Sequence, residues 1–261
     1  MGEVGTIEIE KKGIGKAKVG LIISVIAIAI LVVSNLWLYI HCNAINHAYQ
    51  AIVTKVNLHT KLDSDLITPD DSDVRSMVNS ITGGWSNPDD VNEFWDDCKK
   101  LFELVRDNVE YRYDGYYPVL PDEPSWGLFF MEDMYQLPKQ TLDCRKGDCD
   151  DKAVLLTSML RCYTNRKYDI YCIYVAGSEG GHIGTLFPVA GDKICFVDAT
   201  LDYCTSTGFP SYSITGKDIQ EEVNYYMERF GFDRVYKIFS DDIVLDFSST
   251  EDFINWMYTT A

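Results

Sequence analysis

The longest apolar run of the sequence lies near its start, and it predicts a helix that spans a membrane. Residues 19–40 read VGLIISVIAIAILVVSNLWLYI and contain no charged side chain. As a helix this run is roughly 33 Å long, which matches the hydrocarbon core of a bilayer. A buried core helix and a cleaved signal peptide are the alternatives, but the apolar region of a signal peptide has only about 7 to 15 residues. We therefore expect a retained transmembrane helix.

The lysines beside this run predict its orientation. Four of them precede it, namely Lys11, Lys12, Lys16 and Lys18. Only Lys55 occurs among residues 41–60, which follow it. By the positive-inside rule, residues 1–18 form a cytoplasmic tail. The protein then crosses the cell membrane once, and the residues after the span lie outside the cell.

Beyond the apolar run, the pattern of apolar and polar positions predicts a stalk and then one mixed domain. Residues 41–67 contain no glycine or proline and predict a helical stalk, and residues 68–261 form the domain. Pro69–Ser72 begins a short helix that Gly83 ends, and Asn87–Asp90 begins a second one. The aromatic segment 111–140, which includes Trp126, predicts a long ordered loop. Residues 206–261 predict a strand at 243–247 and a helix from 251, with no identifiable chemistry.

Three strands are predicted in the middle of this domain. Residues 168–176 form a nearly unbroken apolar run, a glycine-rich loop follows, and a second strand begins at His182. A third strand covers 194–200 and contains Asp198. If the second and third strands form a hairpin that turns near residues 188–192, the numbers of paired residues sum to about 380. His182 and Asp198 would then be cross-strand neighbours.

The charge of the chain excludes one class of function. It has 23 Lys and Arg against 40 Asp and Glu, a net charge of -17. Nucleic-acid binding requires a basic surface, so we expect no nucleic-acid partner. Most of the acidic residues follow the apolar run, so the negative charge belongs to the outer domain.

The segment around Cys149 has the composition of a nucleophile site. Gly147 allows unusual backbone conformations, Asp148 is a favourable N-cap, and Cys149 falls on the first position of a helix. Unpaired N–H groups and the helix dipole favour a thiolate there. The carboxylates of Asp148, Asp150 and Asp151 act against it, so a thiolate needs a positive partner. His182 is the one histidine within the domain, and Asp198 beside it would fix its tautomer.

The arrangement of Cys149, His182 and Asp198 resembles that of the transglutaminase-like superfamily of papain-type folds. The resemblance covers roughly residues 68–205. The pattern of this superfamily is a Gly-Asp-Cys helix start, a later His that opens a strand, and an Asp on the next strand. The resemblance implies an α+β, papain-like domain in which the nucleophile helix packs on an antiparallel sheet, here behind one N-terminal transmembrane helix. It also implies that Cys149 is the nucleophile, His182 the general base and acid, and Asp198 the carboxylate that orients it. The sequence departs from the pattern at Gly184, where many members have Trp.

Three further residues are candidates for oxyanion or substrate contacts. The stretch Gln136–Leu142 resembles the lead-in of the family, and Gln136 is a candidate oxyanion donor. Gln140 and Trp126 are the alternatives for the same role.

The resemblance implies an enzyme that attacks amide or peptide bonds through a thioester. Transfer of the acyl group to water gives a protease or amidase, and transfer to an amine gives a transglutaminase. We favour hydrolysis of a protein or peptide substrate, since microbial members resemble peptidases more than cross-linking enzymes. One alternative is a catalytically inactive module that binds proteins at the cell surface. Another is a structural domain stabilised by disulfides, in which Cys149 is oxidised.

Two expectations concern ligands and cysteines. We expect no cofactor and no metal at the catalytic residues, although Asp148, Asp150 and Asp151 are a possible Ca2+ site. The sequence has eight cysteines, and outside a membrane such a number favours disulfides. With Cys149 free, seven remain, so at least one more cysteine is unpaired.

Overall fold

The computed structural model describes residues 15–57, 63–88, 90–121, 129–131, 134–178, 180–208 and 211–260. The chain divides into two compact units. Of the described residues, those up to Thr54 belong to one unit and those from Lys55 onward belong to the other.

A single helix accounts for the described part of the first unit. Helix α1 (Lys16–Asn57) includes the whole apolar run and continues without a break into the predicted stalk. Its segment Lys18–Val53 is long and apolar enough to cross a membrane. Length and apolar composition near an N-terminus are properties that membrane spans share with signal sequences.

The second unit begins with helices and short strands that lead to the central helix. After a 3-10 turn at Asp63–Leu66, the elements are α2 (Ser72–Thr82), α3 (Val91–Asn108), β1 (Glu110–Tyr111), β2 (Tyr117–Val119), β3 (Phe129–Met131), α4 (Pro138–Cys144), β4 (Lys146–Gly147) and α5 (Cys149–Tyr163). The predicted starts of α2 and α3 and the predicted end of α2 are confirmed. Asp71 and Asp90 are their N-caps, and Gly83 ends α2 with a left-handed φ of 80°.

The segment predicted as a long loop contains regular structure. Strands β2 and β3 pair as an antiparallel hairpin, and α4 begins at Pro138. Strand β1 pairs in parallel with β4, which ties the start of this segment to the residues just before Cys149. Trp126 lies among residues 122–128, which are outside the described part of the chain.

The rest of the unit is a seven-stranded antiparallel sheet with two more helices. The elements are β5 (Tyr171–Gly177), β6 (Gly180–Val189), β7 (Lys193–Asp198), β8 (Tyr203–Cys204), β9 (Lys217–Asp218), α6 (Ile219–Phe230), β10 (Phe232–Phe239), β11 (Val244–Asp246) and α7 (Thr250–Thr260). The strand order is β11-β10-β5-β6-β7-β8, and β9 pairs with β7. The fold is therefore α+β, with an antiparallel sheet, as the sequence predicts.

Helices cover both faces of this sheet. The α2, α3 and α5 side chains form one core with Phe187 and Cys195 of the sheet. The α6 and α7 side chains form another with strand residues such as Ile173 and Phe196. Helix α5 is buried along almost its whole length, so its first residue is held in a fixed place.

All eight cysteines are free thiols in this fold. The disulfides that the composition favours are therefore not present. Cys98, Cys172 and Cys195 lie in the apolar core, where they pack as small hydrophobic side chains.

Candidate active site

Cys149 is the first residue of helix α5, as its sequence position predicts. Asp148 occupies the N-cap position, but its side chain makes no capping hydrogen bond. Cys149 is half-buried, whereas Asp148 is buried. The start of this helix therefore holds a thiol and, next to it in the chain, a carboxylate that does not cap the helix.

His182 and Asp198 are in direct contact. The distance from His182 Nε2 to Asp198 Oδ2 is 2.6 Å, and both side chains are buried. The predicted register of the two strands is wrong by two residues. Leu186 pairs with Phe196 and Val189 with Lys193, so the numbers of paired residues sum to 382. The two side chains meet diagonally instead of directly opposite each other, which is within their reach.

Cys149 and His182 line the same cavity. Its volume is about 470 Å3, and it is bounded by Asp63, Tyr111, Tyr113, Tyr135, Asp148, Cys149, Asp150, Tyr174, Gly181, His182, Ile183, Lys237 and Phe239. Its walls are mainly aromatic and acidic, and the ion pair of Lys237 with Asp63 (2.7 Å) lies at one side.

The surroundings of Cys149 disfavour its thiolate. The pKa of Cys149 is raised to about 12, mainly by burial and also by the carboxylates of Asp150, Asp148 and Asp198, against the backbone N–H of Ile183, which lowers it. The helix N-terminus alone does not overcome these effects. A reactive Cys149 consequently depends on a group that takes its proton.

Asp198 has hydrogen-bond donors on both oxygens. Oδ1 accepts from the backbone N–H of Thr200 (2.9 Å) and of Leu201 (3.0 Å). Oδ2 accepts from the Tyr226 hydroxyl at 2.6 Å in addition to its contact with His182. Burial opposes ionisation of Asp198, but His182 and these donors outweigh it, so the pKa of this carboxyl lies below its usual value. Asp198 is therefore an anion that faces His182.

Tyr226 is a site residue that the sequence interpretation misses. It lies on α6, in the part of the chain to which we assign no chemistry, and it is completely buried. The one available signal is a tyrosine on the buried stripe of a helix, because a buried hydroxyl needs a hydrogen-bond partner. The sequence does not indicate which partner that is.

Two candidates for oxyanion contacts, Gln136 and Gln140, have their side chains engaged in hydrogen bonds. The side-chain amide of Gln136 donates to Asp151 Oδ2 and to the carbonyl of Lys146 (3.1 Å). The carbonyl of Gln140 accepts from the backbone N–H of Leu137 (2.8 Å) and caps helix α4. Neither residue lines the cavity that holds Cys149. The structure thus gives both glutamines a supporting position and leaves Trp126 outside the described residues.

Three carboxylates gather at the first turn of α5. Oxygens of Asp148, Asp150 and Asp151 lie within 4.8 Å of one another, and all three residues are buried. Asp148 Oδ1 has no hydrogen-bond partner, whereas Asp151 accepts from the backbone N–H of Gln136 at 2.6 Å. Burial raises the pKa of Asp151 to about 7, against the effect of the hydrogen bonds from Gln136.

Two solved structures similar to this chain come from one protein, Legionella pneumophila LapG, a transglutaminase-like cysteine protease. The first covers 74% of this chain and 97% of LapG at 12% identity, with a TM-score of 0.36. The second, calcium-bound LapG, covers 71% of this chain and 98% of LapG at 12% identity, with a TM-score of 0.34. No protein-family model and no curated protein matches the sequence.

Proposed function

We propose that the domain is a thiol enzyme that cleaves amide or peptide bonds. In this proposal Cys149 is the nucleophile, His182 the general base and acid, and Asp198 the carboxylate that orients the imidazole. The single observation that carries it is the 2.6 Å contact of His182 with Asp198, made at the cavity into which the first turn of α5 places Cys149. Nucleophile, base and orienting group in this relation are the parts that acyl transfer requires.

The proton transfers follow from the contacts of His182. Its Nε2 atom is engaged by Asp198, so Nδ1 is the nitrogen that accepts the proton of Cys149. The sulfur then attacks the substrate carbonyl carbon, and a C–S bond forms while the carbonyl oxygen becomes an oxyanion. When the C–N bond breaks, the imidazolium gives its proton to the departing amine, which leaves a thioester.

The thioester is resolved by a second nucleophile. For hydrolysis, His182 takes a proton from water, the hydroxyl attacks the thioester carbon, and the thiolate that leaves regains its proton from His182. An amine in place of the water gives transamidation. Hydrolysis remains our proposal, with a protein or peptide as the substrate.

The apolar helix gives the proposed enzyme its location. Residues 19–40 would anchor it in the cell membrane, with the N-terminus in the cytoplasm and the domain outside. The substrate would then be a protein or peptide at the outer surface of the membrane.

The carboxylates beside Cys149 are of a kind that binds calcium. Asp148, Asp150 and Asp151 offer oxygen ligands, which Ca2+ prefers, and Asp148 Oδ1 is buried without a partner. A bound cation would offset the negative charge of this turn and so lower the electrostatic cost of a thiolate. We propose Asp148 as the main ligand, since both Asp151 oxygens accept hydrogen bonds from Gln136.

The test of the proposed enzyme is thiol mapping on the full-length chain in detergent micelles. The protein is treated briefly with iodoacetamide at about neutral pH, and the labelled cysteines are identified by mass spectrometry after trypsin digestion. Cleavage after Arg145 and Lys146 separates Cys144 from Cys149. Exposed Cys144 therefore serves as an internal reference in every sample.

We expect Cys149 to be labelled about tenfold faster than Cys144 despite its lower exposure, and His182→Ala to remove this advantage. A thiol with a pKa near 12 and no proton acceptor would label far more slowly than the reference. Slow labelling of Cys149 that His182→Ala does not change would contradict the proposal. It would favour the second candidate, an inactive binding module, which the raised pKa of Cys149 supports.

A further inference from the structure

Tyr226 reaches Asp198 from the opposite face of the sheet to helix α5. It belongs to α6, which packs on that face, and its ring stacks on Phe196 with centroids 4.3 Å apart and planes at 13°. The rings of Tyr226 and Phe232 are 5.8 Å apart, and Phe232 stacks on His182. Packing thus holds the ring of Tyr226 in place independently of the hydrogen bond that its hydroxyl makes.

Gly184 leaves the room that this contact needs. A Cβ atom at this position would lie 2.9 Å from Asp198 Oδ2 and 3.1 Å from the Tyr226 hydroxyl oxygen. Any side chain there would have to displace one of the two groups. The glycine on β6 therefore makes room for the tyrosine on α6. This contact is a structural reason for glycine at position 184, where the family pattern often has Trp.

The Tyr226 hydroxyl acts as a donor to this carboxylate. Burial raises the pKa of Tyr226 well above its ordinary value, so the hydroxyl keeps its proton, while Asp198 is the ionised partner. Hydrogen bonds to an ionised group are shorter and stronger than bonds between neutral groups. The same oxygen, Oδ2, faces His182.

We propose that Tyr226 is a positioning residue, whose hydroxyl holds Asp198 Oδ2 in the orientation that contacts His182. The proposal rests on the function proposed above and extends the site to a helix beyond the stretch that contains Cys149, His182 and Asp198. Tyr226 acts through Asp198 and has no contact with substrate in this role.

The effect of removing the hydroxyl has a definite sign. In Tyr226→Phe, Oδ2 loses one of two donors, and its charge is available to His182 alone. An imidazolium beside a less neutralised carboxylate is more stable, so any inflection of Cys149 reactivity with pH that depends on His182 should move to higher pH. A purely structural role for Tyr226 would change the stability of the fold without this shift.

The experiment follows the rate of Cys149 alkylation by iodoacetamide against pH in the full-length chain in detergent micelles, between about pH 5 and pH 10. The inflection that His182→Ala removes is assigned to His182. Tyr203→Phe is the matched control, because the Tyr203 hydroxyl is also a buried donor to a carboxylate, that of Glu222. Thermal melting of each variant reports the structural cost.

We expect Tyr226→Phe to move the His182 inflection upward by about half a pH unit or more and Tyr203→Phe to leave it in place. An inflection that is unmoved or lowered in Tyr226→Phe, or raised equally in both variants, would overturn the proposal. If Tyr226→Phe does not fold, Gly184→Ala crowds the same oxygen and must move the inflection, and an unmoved inflection in that variant is equally decisive against the proposal.

This design separates the two proposals. If the wild-type protein has no inflection that depends on His182, the proposed function fails, and the role of Tyr226 fails with it. If His182→Ala removes an inflection that Tyr226→Phe leaves unchanged, the thiol site stands and only the role of Tyr226 is overturned.

Discussion

Gly147 packs so closely against Asp151 that any side chain at position 147 would overlap the side chain of Asp151. A Cβ atom at Gly147 would lie 2.5 Å from Asp151 Cβ and 2.6 Å from Asp151 Oδ2. Gly147 is not among the glycines with positive φ, so the backbone freedom that its sequence context suggests is not the reason for it. The glycine before Asp148 and Cys149 is required because the carboxylate one turn into the helix folds back against it.

Substitution of this glycine should therefore be costly. We expect Gly147→Ala to lower the free energy of unfolding by about 2 kcal/mol, as overpacking of a tight contact does. Gly115→Ala is the control, because a Cβ there meets nothing within 4 Å and its φ is not positive. It should change stability by less than about 0.5 kcal/mol. Chemical denaturation of both variants checks this, and equal stabilities would disprove the role given to the Gly147 contact.

Asp151 should make stability depend on pH. Its pKa is raised from 3.8 to about 7 by burial, so between these values the unfolded chain has lost this proton and the folded chain keeps it. Stability is then highest below the unfolded pKa and falls as pH rises through this range. We expect Asp151→Asn to flatten this fall, and denaturation series at several pH values measure it. An identical slope in the variant would show that Asp151 does not titrate in this range.

Asp198 should be essential for the reactivity of Cys149. In Asp198→Asn the imidazole loses the anion at its Nε2 atom, and we expect the alkylation rate of Cys149 at neutral pH to fall about 100-fold. Asp202→Asn is the control, since Asp202 is exposed and pairs with Arg106 on the surface. Asp202→Asn should react like the wild type. A fall of the same size in both variants would mean that the loss is not specific to the contact with His182.

Calcium should stabilise the folded chain if Asp148 binds it. At about 1 mM Ca2+ we expect the melting temperature to rise by a few degrees, because a ligand that binds only the native state stabilises it. Asp148→Asn should abolish this rise, whereas Asp202→Asn should retain it. A melting temperature that is the same with Ca2+ and with a chelator would rule out the proposed calcium site.

The buried Arg161 should matter more for stability than an exposed arginine. Arg161 is 1% exposed, contacts Asp241 and lies 2.8 Å from Asp242 Oδ2. Arg161→Ala removes a large, almost fully buried side chain and one of the two arginine partners of Asp241, the other being Arg166, and we expect a loss of about 2 to 3 kcal/mol. In Arg75→Ala the carboxylate that remains, Asp70, is solvent-exposed, so the free energy of unfolding should fall by less than about 1 kcal/mol. Comparable losses in the two variants would contradict this assignment.

The start of helix α5 was predictable because the signals for it are local. A glycine, an N-cap residue and an apolar stripe are read from adjacent positions, and they place Cys149 on the first helical residue. Strand β5 was predictable for the same reason, since its apolar run is nearly unbroken. The strand that contains His182 was also predicted, but it begins at Gly180, two residues earlier than expected.

The strand register and the partners of Asp198 depend on features that are not local. Left-handed backbone at Gly191 (φ 84°) and Asp192 (φ 59°) places the hairpin turn at residues 190–192, within the predicted 188–192 but centred one residue later, which moves the cross-strand partner of each residue by two. Tyr226 reaches Asp198 from a helix 28 residues further along the chain. Such contacts follow from packing of the whole domain, which the spacing of residues in one segment does not encode.

Because β10 pairs with β5, the sheet can be completed only after most of the chain has been synthesised. Cys149, His182 and Asp198 all leave the ribosome before α6 and β10. Until residues 219–239 follow, β5 has an open edge, Asp198 lacks the Tyr226 hydroxyl, and Phe239 is missing from the cavity wall. A chain cut after residue 205 would contain every residue of the family pattern and still expose an unpaired strand, which is prone to edge-to-edge association. The last fifth of the sequence is thus needed to complete both the sheet and the site.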